Sequence, residues 1–288
     1  VGITAGAGGG GHIFAFPEKF DVIIKNGLIV DGEKDSPYKT DLGIVGDRIE
    51  ELGNLSSSGA KSVIDAAGKM VSPGFIDIHT HSDIALLINS KAESKIRQGV
   101  TTELGGNCGA CPFPRGESLS PYEKMLKEAA DLDFDWTDLE GYHAEMEKRG
   151  IAINYATLAG QGQIRRNVLG EARRKPTAQE MDVMKKHAAK AMAQGAFGLS
   201  TGLEYTPDRF SSAEEIIELC RVVQKAGGFY ATHMRSEDTH LMEAVAEAIY
   251  IAESARLPLH ISHLKVSGRT NYYKIPFVFD LMEGAKER

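Results

Sequence analysis

From Pro73 onward the chain alternates short apolar runs with longer amphipathic stretches, and this rhythm constrains the fold more than any other feature. The runs 75–79, 100–104, 152–158, 196–200, 229–233 and 259–263 read as strands. The segments near 87–98, 121–149, 177–194, 213–226 and 239–255 read as helices between them. Ile216, Leu219, Val223 and Ala226, for example, recur every three or four residues, as one helix face requires. Alternating strands and helices imply a parallel sheet with right-handed crossovers. Six such units suit a β/α barrel or a doubly wound sheet equally well. No Gly-x-Gly-x-x-Gly follows the first of these strands, which argues against a nucleotide-binding, doubly wound sheet.

Before Pro73 the pattern differs. Phe20-Asp21-Val22-Ile23-Ile24-Lys25-Asn26-Gly27 is a β-rich run closed by an Asn-Gly turn signal, and short strands and turns continue to Pro73-Gly74. The expected organisation is a leader over 1–19, glycine-rich at its start, a small β-domain over 20–73, and a β/α region over 74–288. The chain starts with Val rather than Met, so its true start is expected to lie upstream.

A formal net charge of -7, with acids and bases well mixed, offers no basic face for nucleic acid. No apolar run reaches the ~18 residues of a transmembrane helix. Three cysteines, Cys108, Cys111 and Cys220, argue against a disulfide framework and fit a reducing, cytoplasmic compartment. The oligomeric state is not legible.

The chemistry concentrates where the strands of the second region end. His79 and His81 close the first, and alternation along a strand would project both from one face, with Cα atoms roughly 6.6 Å apart. Two imidazoles so placed can share one divalent ion, although an isolated His-x-His reads equally as two solvated polar residues. Cys108 follows the second strand, inside Gly106-Asn107-Cys108-Gly109. A lone cysteine is more often a small buried hydrophobe than a ligand. Cys108 and Cys111 also form a Cys-x-x-Cys pair, which leaves a redox reading open. His233 and His263 close two further strands, and His260 points away from the face bearing His263. His12, His143, His187 and His240 read as ordinary surface residues. Histidine or cysteine at four separate strand ends is a recurrence that structural placement does not explain, and the C-terminal strand ends are where barrel active sites form.

At these residues the chain resembles the amidohydrolase superfamily and, within it, the D-aminoacylase (N-acyl-D-amino-acid deacylase) family. Pro73 to Asp83 is similar to that family's first barrel strand, Gly106-Asn107-Cys108-Gly109 to its second, and Gly198 to Tyr205 to a further segment. Thr232-His233-Met234-Arg235 and Ile261-Ser262-His263-Leu264-Lys265-Val266 resemble later strand ends. The resemblance implies a (β/α)8-type TIM barrel, here with about six βα units, beside a small N-terminal β-sandwich part. It implies Zn2+ held tightly by Cys108, His233 and His263, with His79 and His81 forming a weaker adjacent metal position. Lys265 and Arg235 become candidates for the substrate carboxylate, against a plain salt bridge at a strand end. The implied substrate is a small-molecule N-acyl amino acid, with no nucleic-acid or membrane partner.

Three departures stand out. Gly160-Gln161-Gly162 occupies a place where the family usually has a histidine, and Cys111 one where serine is more usual. The general-base aspartate comes from the family's last barrel strand, and no residue here matches it, so the catalytic base is expected beyond Arg288. On that basis the 288-residue chain is expected to be inactive or unstable alone. Competing readings are a cyclic amidase or isoaspartyl-type dipeptidase, which would carry a modified lysine or glutamate in place of Cys108, a metal-binding chain without catalysis, and a Cys-x-x-Cys oxidoreductase.

Overall fold

The computed structural model describes residues 18–116, 121–130 and 132–287. All but the last two residues of the expected leader, and His12 with them, lie outside that range. The chain divides into two compact units, one ending at Gly74 and the other beginning at Phe75.

The first unit holds strands β1 (Glu18–Lys25), β2 (Leu28–Ile29), β3 (Tyr38–Lys39), β4 (Asp41–Val45), β5 (Arg48–Gly53), β6 (Gly59–Asp65) and β7 (Met70–Val71). They form two sheets, ordered β5-β4-β1-β6 and β3-β2-β7. Asn26 takes the left-handed conformation (φ +62°) that turns the chain between β1 and β2. Phe20, Ile23 and Leu55 bury the unit's small core.

The second unit runs β8 (Phe75–Asp77), α1 (Ala85–Ile88), α2 (Glu93–Ile96), β9 (Val100–Gly105), α3 (Pro121–Ala130), α4 (Leu139–Arg149), β10 (Asn154–Thr157), β11 (Ala159–Gly160), α5 (Gln161–Leu169), α6 (Ala178–Ala193), β12 (Gly198–Gly202), α7 (Ala213–Lys225), β13 (Phe229–His233), α8 (Leu241–Ala255), β14 (Leu259–Ile261) and α9 (Ile275–Lys286). Every strand pairing in it is parallel, in the orders β10-β9-β8 and β11-β12-β13-β14. Leu158 alone separates β10 from β11, so a single kinked strand position joins the two sheets. Each position pairs with the next one in the chain and the order never reverses. That is the winding of a β/α barrel, whereas a doubly wound sheet reverses at a switch point. Six of the barrel's strand positions are present among the described residues.

Local sequence explains the helix starts. Thr177 and Glu180 make a reciprocal capping box at α6, and the Ser212 side chain accepts from Glu215 N–H at α7. Ile216, Leu219 and Val223 are fully buried, while Ala226 lies beyond the end of α7 and is exposed. Other boundaries differ from the sequence expectation. The stretch 87–98 is two short helices, because Ala92 between them adopts φ +46°. The stretch 121–149 contains two helices, the second starting anew at its Asp138 cap. Strand β11 and helix α5 were not anticipated, since Gly160-Gln161-Gly162 lacks an apolar period. Strands β8 and β14 stop two residues short of His79 and His263.

Candidate metal centre

The site is built at the C-terminal ends of β8, β9, β13 and β14. His79 follows β8 in a turn held by its own N–H donating to Asp77 Oδ1 (3.2 Å) and by Thr80 N–H donating to the Leu104 carbonyl (3.1 Å). The strand-alternation argument for His79 and His81 therefore does not apply, as both lie beyond the strand. Cys108 follows β9 on a loop fixed at both ends. Gly106 N–H donates to Asp83 Oδ1 (2.8 Å), which also accepts from Tyr155 Oη (2.7 Å), and Gly109 N–H donates to Ser200 Oγ (3.0 Å). Gly106 has φ +69°, and a Cβ there would overlap the Leu158 carbonyl oxygen, so only glycine fits. His233 is the last residue of β13 and is buried. His263 follows β14 after Ser262 N–H has donated to the Thr232 carbonyl (2.9 Å). Cys108 (φ +53°) and His263 (φ +38°) both hold backbone conformations uncommon for residues with side chains.

These four residues, drawn from four strand ends, converge. Cys108 Sγ lies 3.5 Å from His79 Nε2, 3.7 Å from His263 Nε2 and 3.9 Å from His233 Nδ1, and the last two nitrogens are 2.9 Å apart. Tetrahedral zinc with Zn–N of about 2.0–2.1 Å and Zn–S of about 2.3 Å has donor–donor edges of about 3.3–3.6 Å. The observed spacings bracket those edges, and a thiol with imidazoles is a zinc-type donor set. His79 Nδ1 is buried without a hydrogen-bond partner. His79, Cys108 and His263 form one group with donor atoms mutually within 4.8 Å, and His233, Glu237 and His263 form another. His81 joins neither group. Its exposed ring stands edge-on to that of His79, with centroids 5.3 Å apart, and lines a cavity of about 250 Å3 with Cys108, Arg166, Tyr205 and Asp208.

Burial, followed by the charges of His263 and His81, pushes His79 down to about 4, so at neutral pH it is an uncharged donor. Burial, followed by Glu237, pushes the Cys108 thiol up to about 11. Without a cation it stays protonated, and a metal must displace that proton to gain the thiolate.

Arg235 is clamped by Glu247 (Nε–Oε2 2.9 Å, Nη2–Oε1 3.0 Å) and by the carbonyls of Arg209 and Ser211, which is the salt-bridge alternative. Lys265 does stand beside the cluster, with Nζ 3.2 Å from His263 Nδ1 and paired with Glu237. Gln161 turns its amide to Ser211 and Glu215, next to the fully buried Arg165–Glu215 pair, and away from any pocket role. Cys111 Sγ donates to the Phe113 carbonyl (2.6 Å) and accepts from Gly160 N–H (3.1 Å), a packing role. His143 and His187 are half-buried rather than on the surface, and burial depresses both. Glu237 and Asp208 were missed by sequence reasoning, and Glu204 and Tyr205 entered it only inside the family-like segment Gly198 to Tyr205, without a role. Their other signal is position, a few residues after the strand ends at Gly202 and His233.

Residues 62–277 match the model of the amidohydrolase family. The chain belongs to that family. The chain is 37% identical over 272 residues to a D-aminoacylase of Alcaligenes xylosoxydans xylosoxydans, a match covering 94% of the chain and 56% of that enzyme. The crystal structure of a D-aminoacylase superposes with TM-score 0.85 at 39% identity, covering 93% of this chain and 56% of that one. An N-acyl-D-glutamate deacylase of Bordetella bronchiseptica, solved with zinc and a phosphonate inhibitor, superposes with TM-score 0.86 at 30% identity, covering 94% and 56%. The chain thus spans a little over half the length of each of these relatives.

Proposed function

We propose that the protein hydrolyses the amide bond of N-acyl-D-amino acids to a carboxylate and a D-amino acid. In this reading Cys108, His233 and His263 hold one tightly bound zinc, and His79 and His81 form a weaker adjacent position. The observation that carries it is the convergence of Cys108 Sγ and three imidazole nitrogens within 3.5–3.9 Å. The likeness to deacylases of acylated D-amino acids supports the substrate class.

Zinc, when bound, supplies polarisation of the acyl carbonyl and lowers the pKa of water toward about 7. The chain's own side chains do the rest of what is visible. His79, neutral at physiological pH, offers a lone pair without charge repulsion. Lys265, half-exposed beside His263 and paired with Glu237, is the residue we assign to a substrate carboxylate. The cavity of about 250 Å3 bounded by Cys108, Tyr205 and Arg166 has room for a small acyl or side-chain group. Asp77 is tied to Lys95 and the His79 amide, and Asp83 to Tyr155 and the Gly106 amide, which removes both as general bases.

The test is zinc content per chain together with release of free amino acid from N-acetyl-D-leucine and its L-enantiomer. Bound zinc is expected of the 288-residue chain, and D-specific release of a polypeptide extended to the length of its relatives. A chain that takes up no zinc would sink the reading, and zinc uptake without release by the longer polypeptide would leave only the metal-binding alternative.

A further inference from the structure

Gly202 ends β12 in register with His233, which ends β13. The chain then turns, with Leu203 N–H donating to the His233 carbonyl (3.0 Å) and Tyr205 N–H donating to the Gly202 carbonyl (2.8 Å). This turn sets Glu204 against the His233 ring, with Oε2 3.2 Å from Nε2. An ionised carboxylate can only accept, so the contact requires the imidazole proton on Nε2. In a neutral ring Nδ1 is then a bare lone pair. Nδ1 is the nitrogen that faces Cys108 Sγ and His263 Nε2.

His263 Nδ1 faces both a donor, Lys265 Nζ at 3.2 Å, and an acceptor, Glu237 Oε1 at 2.9 Å, so its own contacts select no tautomer. His263 Nε2 lies 2.9 Å from His233 Nδ1. The Glu204 contact is therefore the one that sets the proton on the His233 ring. We propose that Glu204 is a positioning residue that holds His233 as the Nε2–H tautomer and so keeps Nδ1 open to a cation at Cys108. Its consequence for metal rests on the zinc reading above, whereas the tautomer does not.

Two measurements on the full chain test this. Nitrogen-15 spectra of histidine-labelled, metal-free protein report which ring nitrogen of His233 carries the proton. Competition with a chromogenic chelator reports zinc affinity. Wild type is expected to show Nε2–H at His233. Glu204→Leu is expected to lose that preference and bind zinc about tenfold more weakly, the lower end of what outer carboxylates contribute to a metal site. Glu204→Gln, which keeps an accepting oxygen, is expected to recover most of both. The Glu204 side chain is 39% exposed, so a loss of fold is not the expected cause, and the tautomer of Glu204→Gln decides the matter if Glu204→Leu does not fold. An unchanged His233 tautomer, or unchanged zinc affinity in Glu204→Leu, overturns the proposal. If wild type binds no zinc, the functional reading fails while the tautomer still decides the role of Glu204.

Discussion

Replacing Asp208 with asparagine is expected to stabilise the fold at neutral pH and to flatten its dependence on pH. Asp208 is 3% exposed and accepts from Gly202 N–H at 2.8 Å. Its carboxyl is wedged against two backbone segments, since a methyl group on Gly109 or Gly162 would overlap its oxygens. Burial raises it from 3.8 to about 7, against the lowering effects of the Gly202 amide and of Arg166. The folded state therefore keeps a proton that the unfolded chain releases near pH 4. Stability contributed by the neutral acid is complete below pH 4 and is lost as pH rises toward 7. A shift of about three units at ~1.4 kcal/mol each amounts to ~4 kcal/mol by pH 7. Asparagine has nothing to ionise and can still accept the Gly202 N–H. Urea unfolding of wild type and Asp208→Asn at pH 4, 5, 6 and 7 measures the difference. The two should agree near pH 4 and diverge steadily above it, with the variant the more stable. Parallel curves across that range would refute the reasoning.

Cys108→Ala is expected to lower zinc affinity by at least ~100-fold through loss of the thiolate donor, while Cys111→Ser leaves it nearly unchanged; chelator competition measures both. Gly106→Ala forces a Cβ onto the Leu158 carbonyl at a positive φ, and is expected to cost ~1–3 kcal/mol in thermal or urea unfolding and to weaken zinc binding by displacing the Cys108 loop. Arg165→Met leaves Glu215 charged in a fully buried site, and should destabilise by ~3–5 kcal/mol in the same assay.

The donor residues were readable because each follows an apolar run, and strand ends are where a parallel barrel gathers its chemistry. That rule and the chain's alternation marked Cys108, His233 and His263 as candidates, while their grouping as one ligand set came only from the family resemblance. The carboxylates around them were not readable. Glu204 meets His233 through the register of β12 with β13, and Glu237 meets Lys265 across the loops after β13 and β14, so neither contact is local in sequence. Arg235 was a candidate for substrate only through the family resemblance, weighed against a salt bridge at a strand end. Its partner Glu247 lies twelve residues on, in α8, where nothing in the sequence marks it as facing back. The broken helices at 87–98 and 121–149 were missed because an apolar period does not reveal a single left-handed residue such as Ala92 or a fresh cap such as Asp138.

The left-handed backbone at Cys108 bears on how the protein could be retuned for other ions. Asparagine, aspartate and histidine tolerate that conformation, and β-branched residues resist it. An oxygen donor can therefore be installed by Cys108→Asp with little distortion of the main chain, whereas Cys108→Thr would fight its own loop. The turn that presents sulfur today is equally suited to presenting a carboxylate, a donor that suits harder ions such as manganese.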